Sequence, residues 1–431
     1  MYRFIGYLFG VILASCYYFP FALAAVPGAN SKMLMSLVGL GLFIFNGIKY
    51  KNGINESLLK LGLWALGLSF VSILTCIINN TYDYSFVSYI ISMCVWLAGG
   101  YCLVSYIKYL YGDVDVHKVA TYLALACFMQ CVLALVFNYN PELDQWSNNT
   151  FGGEAYMGVG TGNRLHGIGC ALDVAGFRFS AVLIMLAFLM YDENQNHNSL
   201  KFYIYAFVYI FIAIIGNMIS RSTITGVMLS MMCIIFFAFK NKGGFGVFKK
   251  LILVIALIVP VIVLLYNTNE SFEDKMRFGF EGFFSLVEKG EWQTTSNDLL
   301  KNMVVWPDNT KAWIIGDGYA ANPTDKELAS YDPYYIGPSF IGYYMNTDIG
   351  YCRFVFYFGI IGLLVFSGVI IQAALICIKH FPEYKWMFAL ILLLNFIGWL
   401  KVSTDLFMVF APFICIPSKE EEKEPEIKLS Y

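Results

Sequence analysis

Arg178-Phe179-Ser180-Ala181-Val182-Leu183-Ile184-Met185-Leu186-Ala187-Phe188-Leu189-Met190 sets an arginine directly before a run in which Ser180 is the only polar residue. As a helix the run is about 18 Å long, too short for a bilayer core of roughly 30 Å. The helix therefore begins near Cys170, which puts Arg178 about two turns inside it. An ionisable residue within a span is a functional candidate by default. The plainer readings are a snorkelling side chain or an ion pair with Asp173.

Comparable apolar runs fall on both sides of this one. They are Phe4–Ala25, Met33–Ile48, Leu58–Ile78, Phe86–Ile107, Val119–Phe137, Cys170–Met190, Phe202–Met218, Thr223–Phe239, Leu251–Tyr266, Ile349–Ile378, Trp386–Leu400 and Val402–Ile416. Hydrophobic residues make up 58% of the 431 and charged residues only 13%, about half the charge of a soluble domain. The expected fold is an all-α polytopic membrane protein of about 12 transmembrane helices, one domain over residues 1–431. Leu13-Ala14-Ser15-Cys16 and Ala22-Leu23-Ala24-Ala25 have the look of processing sites. The first run is nevertheless long enough to span, and reads as a helix.

The lysines orient these helices. Lys49, Lys51 and Lys60 share one connection, Lys108 and Lys118 another, Lys240, Lys242, Lys249 and Lys250 a third, and Lys379 and Lys385 a fourth. With twelve spans these loops lie beside both termini, which the positive-inside rule makes cytoplasmic. Residues 418–431, with Glu420, Glu421, Glu422 and Lys423, read as a short cytoplasmic tail. Two outer segments are long. Asn138 to Gly169 reads as an ordered loop; 268–347 is too long for a structureless connection and reads as a partly helical cap.

Against this topology five of the six arginines, Arg164, Arg178, Arg221, Arg277 and Arg353, fall on the outer side. A guanidinium grips phosphate or carboxylate in a bidentate way, so the set suggests a site for an acidic or phosphorylated ligand. Arg353 lies in the first turn of its helix, where a cation opposes the macrodipole unless an anion binds there. Thr347 or Asp348 is the expected N-cap, capping being the commoner use of such an aspartate. Arg221, in Ser220-Arg221-Ser222-Thr223, occupies a tight hairpin and serves either the site or the lipid headgroups.

Other features carry less. The net charge of −2 argues against nucleic acid. The eleven cysteines lie mostly singly in apolar runs, and no Cys/His cluster has metal-ligand spacing. His166 is a possible base but stands alone. Asp113-Val114-Asp115 has the form of a metal-binding motif but lies in an expected cytoplasmic loop. The sequons at Asn148 and Asn269 read as chance. Trp292, Trp306, Trp313, Tyr319, Tyr331, Tyr334 and Tyr335 offer faces for sugars, or for packing.

Asn163-Arg164-Leu165-His166-Gly167, Ser220-Arg221-Ser222-Thr223 with Gly226, and Thr347-Asp348-Ile349-Gly350-Tyr351-Cys352-Arg353 followed by Gly359-Ile360-Ile361-Gly362 together resemble the bacterial O-antigen polymerases (Wzy). More distantly they resemble the O-antigen ligases (WaaL). The similarity lies in motif order around the outer loop and covers nearly the whole chain. It implies a GT-C-like glycosyltransferase of the bacterial inner membrane, with its active site facing outward. It also implies a metal- and cofactor-independent, inverting transfer of glycan from undecaprenyl pyrophosphate to the next lipid-linked repeat. A flippase and a chain-length regulator are its implied partners, beside membrane lipids. On this reading Arg164, Arg221, Arg353 and Asp348 are catalytic, and Arg164, Arg178, Arg221 and Arg277 hold pyrophosphate. Asp348 leads Glu154, Asp173 and His166 as base. Ligases carry a histidine in the long outer loop; here the four histidines are His117, His166, His197 and His380, all outside it. A flippase or transporter for lipid-linked sugar is the remaining alternative.

Overall fold

The computed structural model describes residues 2–26, 28–50, 56–151, 164–240, 244–322 and 342–417. Glu154, Asn163, Tyr331, Tyr334, Tyr335 and the tail 418–431 lie outside the described residues. Within them the chain is helical, with only isolated β-bridges. Eight helices are long and apolar enough to cross a membrane: α2 (Ser31–Tyr50), α3 (Glu56–Asn79), α4 (Tyr89–Tyr111), α5 (Val116–Tyr139), α7 (Leu172–Gln195), α8 (Ser199–Ile219), α10 (Gly244–Thr268) and α15 (Gly350–His380). α1 (Tyr2–Tyr18) and α9 (Thr223–Lys240) are apolar but shorter. The bundle's rim explains the composition: Leu37 on α2 and Leu257 on α10 are each 68% exposed, amid many other exposed apolar side chains. Such a surface suits lipid and not water. The protein is an all-α polytopic membrane protein.

α7 is the most enclosed helix, packed against α5, α8, α9, α10 and α16 (Lys385–Gly398). Its small residues permit this. A Cβ on Gly226 would fall 2.2 Å from Ser180 Cα, and one on Gly176 would fall 2.2 Å from Ser222 Oγ. Ser180 Oγ donates to the Ser222 carbonyl at 3.1 Å and accepts from Gly226 N–H at 3.1 Å. The Ser220–Thr223 turn is thereby pinned to the start of α7.

Three expected spans are kinked or cut short. The run Ile349–Ile378 reads in the sequence as a single span. α15 instead kinks at Phe358 and Gly359, Gly359 adopting φ +64. The kink frees carbonyls, and the chain after α14 (Thr310–Ile315) satisfies them: Asp317 N–H donates to Phe356 O at 2.6 Å, Gly318 N–H to Tyr357 O at 3.0 Å. Further on, α16 has 14 residues and α17 (Phe407–Ile414) only 8. At about 21 and 12 Å, neither crosses a bilayer alone. Between them residues 399–406 turn inside the bundle. Trp399, fully buried, gives its carbonyl to Tyr351 N–H at 3.1 Å, and Asn395 Oδ1 accepts Leu406 N–H at 2.8 Å. Non-helical backbone at such depth is tolerated because protein groups satisfy it.

The cap lies at one end of the bundle. It contains α11 (Glu270–Gly279), α12 (Glu281–Lys289), α13 (Thr295–Asn302) and α14. α11 gives way to α12 at Phe280. α11 packs on α8 and α10, and a Cβ on Gly279 would lie 3.0 Å from the Asn217 backbone. The cap therefore sits directly over the Ser220–Thr223 turn. On the same end α6 (Pro141–Phe151) follows α5.

Candidate cationic site at the cap end

Asp173, in the first turn of α7, organises the centre of the site. Its Oδ1 accepts from Ser220 Oγ at 2.9 Å, Ser222 Oγ at 2.9 Å and Lys401 Nζ at 2.8 Å. These bonds join the α7 start, the α8–α9 turn and the broken α16–α17 segment. Asp173 thus pairs with Lys401, and not with Arg178 as one of the plainer readings of that arginine had it. A carboxylate so fully engaged is a poor general base.

Arg221 projects from that turn toward the cap. It pairs with Glu281 and stacks on Phe278, its guanidinium carbon 4.5 Å from the ring centroid. Arg164 approaches the same ring at 5.2 Å. Two guanidinium groups therefore converge on one aromatic of the cap. Burial, and then the neighbouring Arg164, push the Arg221 pKa down; the site disfavours this second positive charge. Arg164 makes no ion pair among the described residues.

Arg353 lies over the Tyr343 ring at 3.7 Å and donates to the Ala320 carbonyl at 3.4 Å. Its buried Nε has no hydrogen-bond partner, and the side chain makes no ion pair, among the described residues. Asp348 precedes it but is not the N-cap. That position belongs to Ile349, and Thr347 Oγ1 accepts the Ile349 N–H at 3.3 Å while donating to Met303 O at 2.6 Å. The Asp348 carboxyl instead shares a field with Arg353, Asp173 and Lys401, and burial raises its pKa above the usual carboxylate range.

The remaining candidates are placed elsewhere. Arg178 lies two turns into α7, about 140° around the helix from Asp173. It is 9% exposed, and its guanidinium is 5.8 Å from the Phe19 ring. Arg277 belongs to the cap's own surface, bonded to Glu273 at 3.1 Å and Glu288 at 2.9 Å and held above its usual pKa by them. It does not join Arg164 and Arg221. His166 faces Asp144 at 3.2 Å, and burial lowers its pKa. In the loop 113–115, Asp115 caps α5 at Lys118 N–H and both aspartates bind the Lys118 ammonium at 2.7 and 3.0 Å, a structural use. Of the cap aromatics, Trp306 stacks on Trp313 and Tyr319 on Tyr344. Among the described residues no group of three or more His, Cys, Asp or Glu is arranged to hold a metal.

The site also contains residues that the sequence reading passed over. Lys401 sits between two apolar runs, and Lys32 opens another; each broke the lysine pattern just as the arginines did. Asp83 accepts the Ala320 N–H at 2.7 Å and supports the segment beneath Arg353. The structure joins Arg164 to Arg221, and Asp348 to Arg353, with Asp173 and Lys401 between the two pairs. No known family model and no curated protein matches the chain.

Proposed function

We propose that the chain is a polymerase of lipid-linked oligosaccharide repeats, working at the outer face of a bacterial plasma membrane with both termini cytoplasmic. One observation carries the reading: Arg164 and Arg353, both part-buried at the cap end, make no ion pair among the described residues. An enclosed charge without a partner is costly, by several kcal/mol, and a bound anion offsets that cost. Pyrophosphate on a polyprenyl carrier brings such an anion to a membrane surface.

In the reaction the acceptor hydroxyl attacks the anomeric carbon of the donor glycan. The bond from that carbon to the pyrophosphate oxygen breaks, and the electron pair leaves with undecaprenyl pyrophosphate. Arg164, Arg221 and Arg353 stabilise the charge that develops on the leaving group. Asp348 takes the proton from the acceptor hydroxyl. Its raised pKa suits it to that role, and Arg353 and Lys401 favour its ionised form.

Glycan analysis of a deletion strain, complemented with wild type or with Arg164→Ala, tests the proposal. A single repeat replacing the ladder of lengths in the deletion, restored by wild type and not by a stably expressed Arg164→Ala, supports it. Long polymer accumulating on the carrier lipid points to a ligase, against which stands the lack of histidine in residues 268–347. The second reading is a flippase or transporter, favoured by the broken segments in α15 and between α16 and α17, since discontinuous helices often line transport sites. Single repeats trapped on the cytoplasmic face would establish that reading instead.

A further inference from the structure

Near its remote end α10 carries the exposed Lys249 beside Lys250, and an unbroken apolar run follows them. The two lysines mark where the helix enters lipid. From Lys250 to Tyr266 it rises about 24 Å, against a bilayer core of roughly 30 Å. Tyr266 and the end of α10 at Thr268 therefore stand at the cap-side edge of the hydrocarbon, the depth at which aromatic side chains collect. The lipid-facing side of α10 runs up to this level, with Val261, Leu264 and Leu265 exposed along it.

α12 is held at the same depth. Its Phe284 stacks on the Tyr266 ring, the centroids 5.9 Å apart and the planes at 14°. At about 100° of turn per residue the helix has two faces. Glu281, Ser285 and Glu288 share one. Glu281 accepts from the Thr295 N–H at 3.2 Å and its hydroxyl at 2.7 Å, and Glu288 accepts from Arg277 at 2.9 Å. Phe283, Leu286 and Val287 share the other, and all three are exposed, Val287 by 86%. Trp292, also exposed and edge-on to Phe283 at 4.9 Å, widens that patch. An amphipathic helix with an open apolar face at this depth has the form of one lying in a membrane interface.

We propose that α12 is such an interfacial helix: Phe283, Leu286, Val287 and Trp292 enter the lipid leaflet on the cap side and seat the cap on the membrane. The face takes lipid and not a second copy of the chain, because it continues the exposed apolar side of α10 at the depth that Tyr266 sets. The same helix carries Glu281, which pairs with Arg221, so the seat holds the cap over the cationic turn. It is independent of the polymerase reading.

Photocrosslinking in the membrane tests the seat. Full-length protein carrying p-benzoylphenylalanine at Phe283, Val287, Glu288 or the lipid-facing Leu257 is placed in phosphatidylcholine nanodiscs, irradiated and analysed by mass spectrometry. Positions 283 and 287 are expected to take up phosphatidylcholine as position 257 does, and position 288, on the opposite face, at least about fivefold less. Lipid adducts at 257 with none at 283 and 287 overturn the proposal, as do equal yields at 287 and 288. Crosslinks from 283 or 287 to a second copy of the chain also overturn it. Protein labelled with fluorotryptophan, with the apolar face of α12 intact, gives an independent reading. Its Trp292 resonance, assigned by its loss in Trp292→Phe, should broaden with a headgroup spin-labelled lipid more than with a water-soluble paramagnetic chelate; the reverse order overturns the seat.

Discussion

Lys118, at the end of α5 remote from the cap, reaches Asp113 and Asp115 of its own loop. Arg353, at the cap end of α15, rests on Tyr343 and a carbonyl and makes no direct ion pair among the described residues. The contrast extends to their neighbours. At the remote end Lys60 pairs with Glu56 and His117 with Glu193, while Lys249, Lys379 and Lys385 are exposed to water. At the cap end Arg164, Lys32 and Arg353 are part-buried without ion pairs among the described residues. Charges at the remote end are answered locally or by solvent. Arg164, Lys32 and Arg353 are enclosed without an ion pair among the described residues, beside the ion-paired Arg221 and Lys401.

The largest effect should separate these two ends in activity. Arg353→Ala is expected to lower polymer formation by about 100-fold or more, whereas Lys118→Ala, which loses only solvent-screened pairs worth less than about 1 kcal/mol, leaves it unchanged. Glycan ladder intensity at matched expression reads both; equal losses would erase the distinction between the ends. Asp173→Ala strands Lys401 and two hydroxyls, and should cost about 3 kcal/mol of stability, seen as a lowered thermal unfolding midpoint in detergent. An unchanged midpoint would remove Asp173 as the organiser.

Backbone strain sharpens the same contrast. Gly359 and Gly112 both have positive φ, but a Cβ on Gly359 would lie 2.2 Å from Ile314 O, while nothing lies within 4 Å of one on Gly112. Gly112→Ala should cost about 1–2 kcal/mol for the left-handed conformation alone, and Gly359→Ala clearly more, measured on the same unfolding assay. The pH profile gives a subtler test. A carboxyl with a raised folded pKa adds stability below its unfolded pKa and loses that contribution as pH rises through the folded one. Asp348 should therefore favour the folded state at acid pH. As a base it must be ionised, so activity should rise through a pKa above the ordinary aspartate range, and Asp348→Asn should abolish that limb. Arg277→Ala is expected to be nearly silent, within about twofold in activity, because it is exposed and pairs with the cap's own Glu273 and Glu288. A large loss there would return Arg277 to the site.

Much of the membrane architecture was legible because lipid imposes long apolar runs, and the arginine set was legible because it falls apart from the lysine-rich loops used to orient those runs. Lys401 and Lys32 fall apart from those loops too, but each reads in the sequence as the edge of an apolar run. Their significance appears only when Asp173 and Trp96 are brought beside them. The break between α16 and α17 was hidden for a related reason. Trp386–Leu400 and Val402–Ile416 look like two full spans, and what interrupts them is tertiary: the Trp399 carbonyl at the start of α15 and Asn395 on Leu406 N–H. Asp348 looked like an N-cap because local sequence favours one there. Thr347 takes the nearby N–H instead, and the aspartate faces the cations.

The most direct measurement is release of undecaprenyl pyrophosphate by purified protein in liposomes supplied with a lipid-linked repeat. The account predicts one carrier pyrophosphate released per new glycosidic bond, undiminished by a metal chelator and lost in Arg353→Ala. Movement of the intact lipid-linked repeat across the bilayer, with no carrier released and no longer glycan formed, would contradict it.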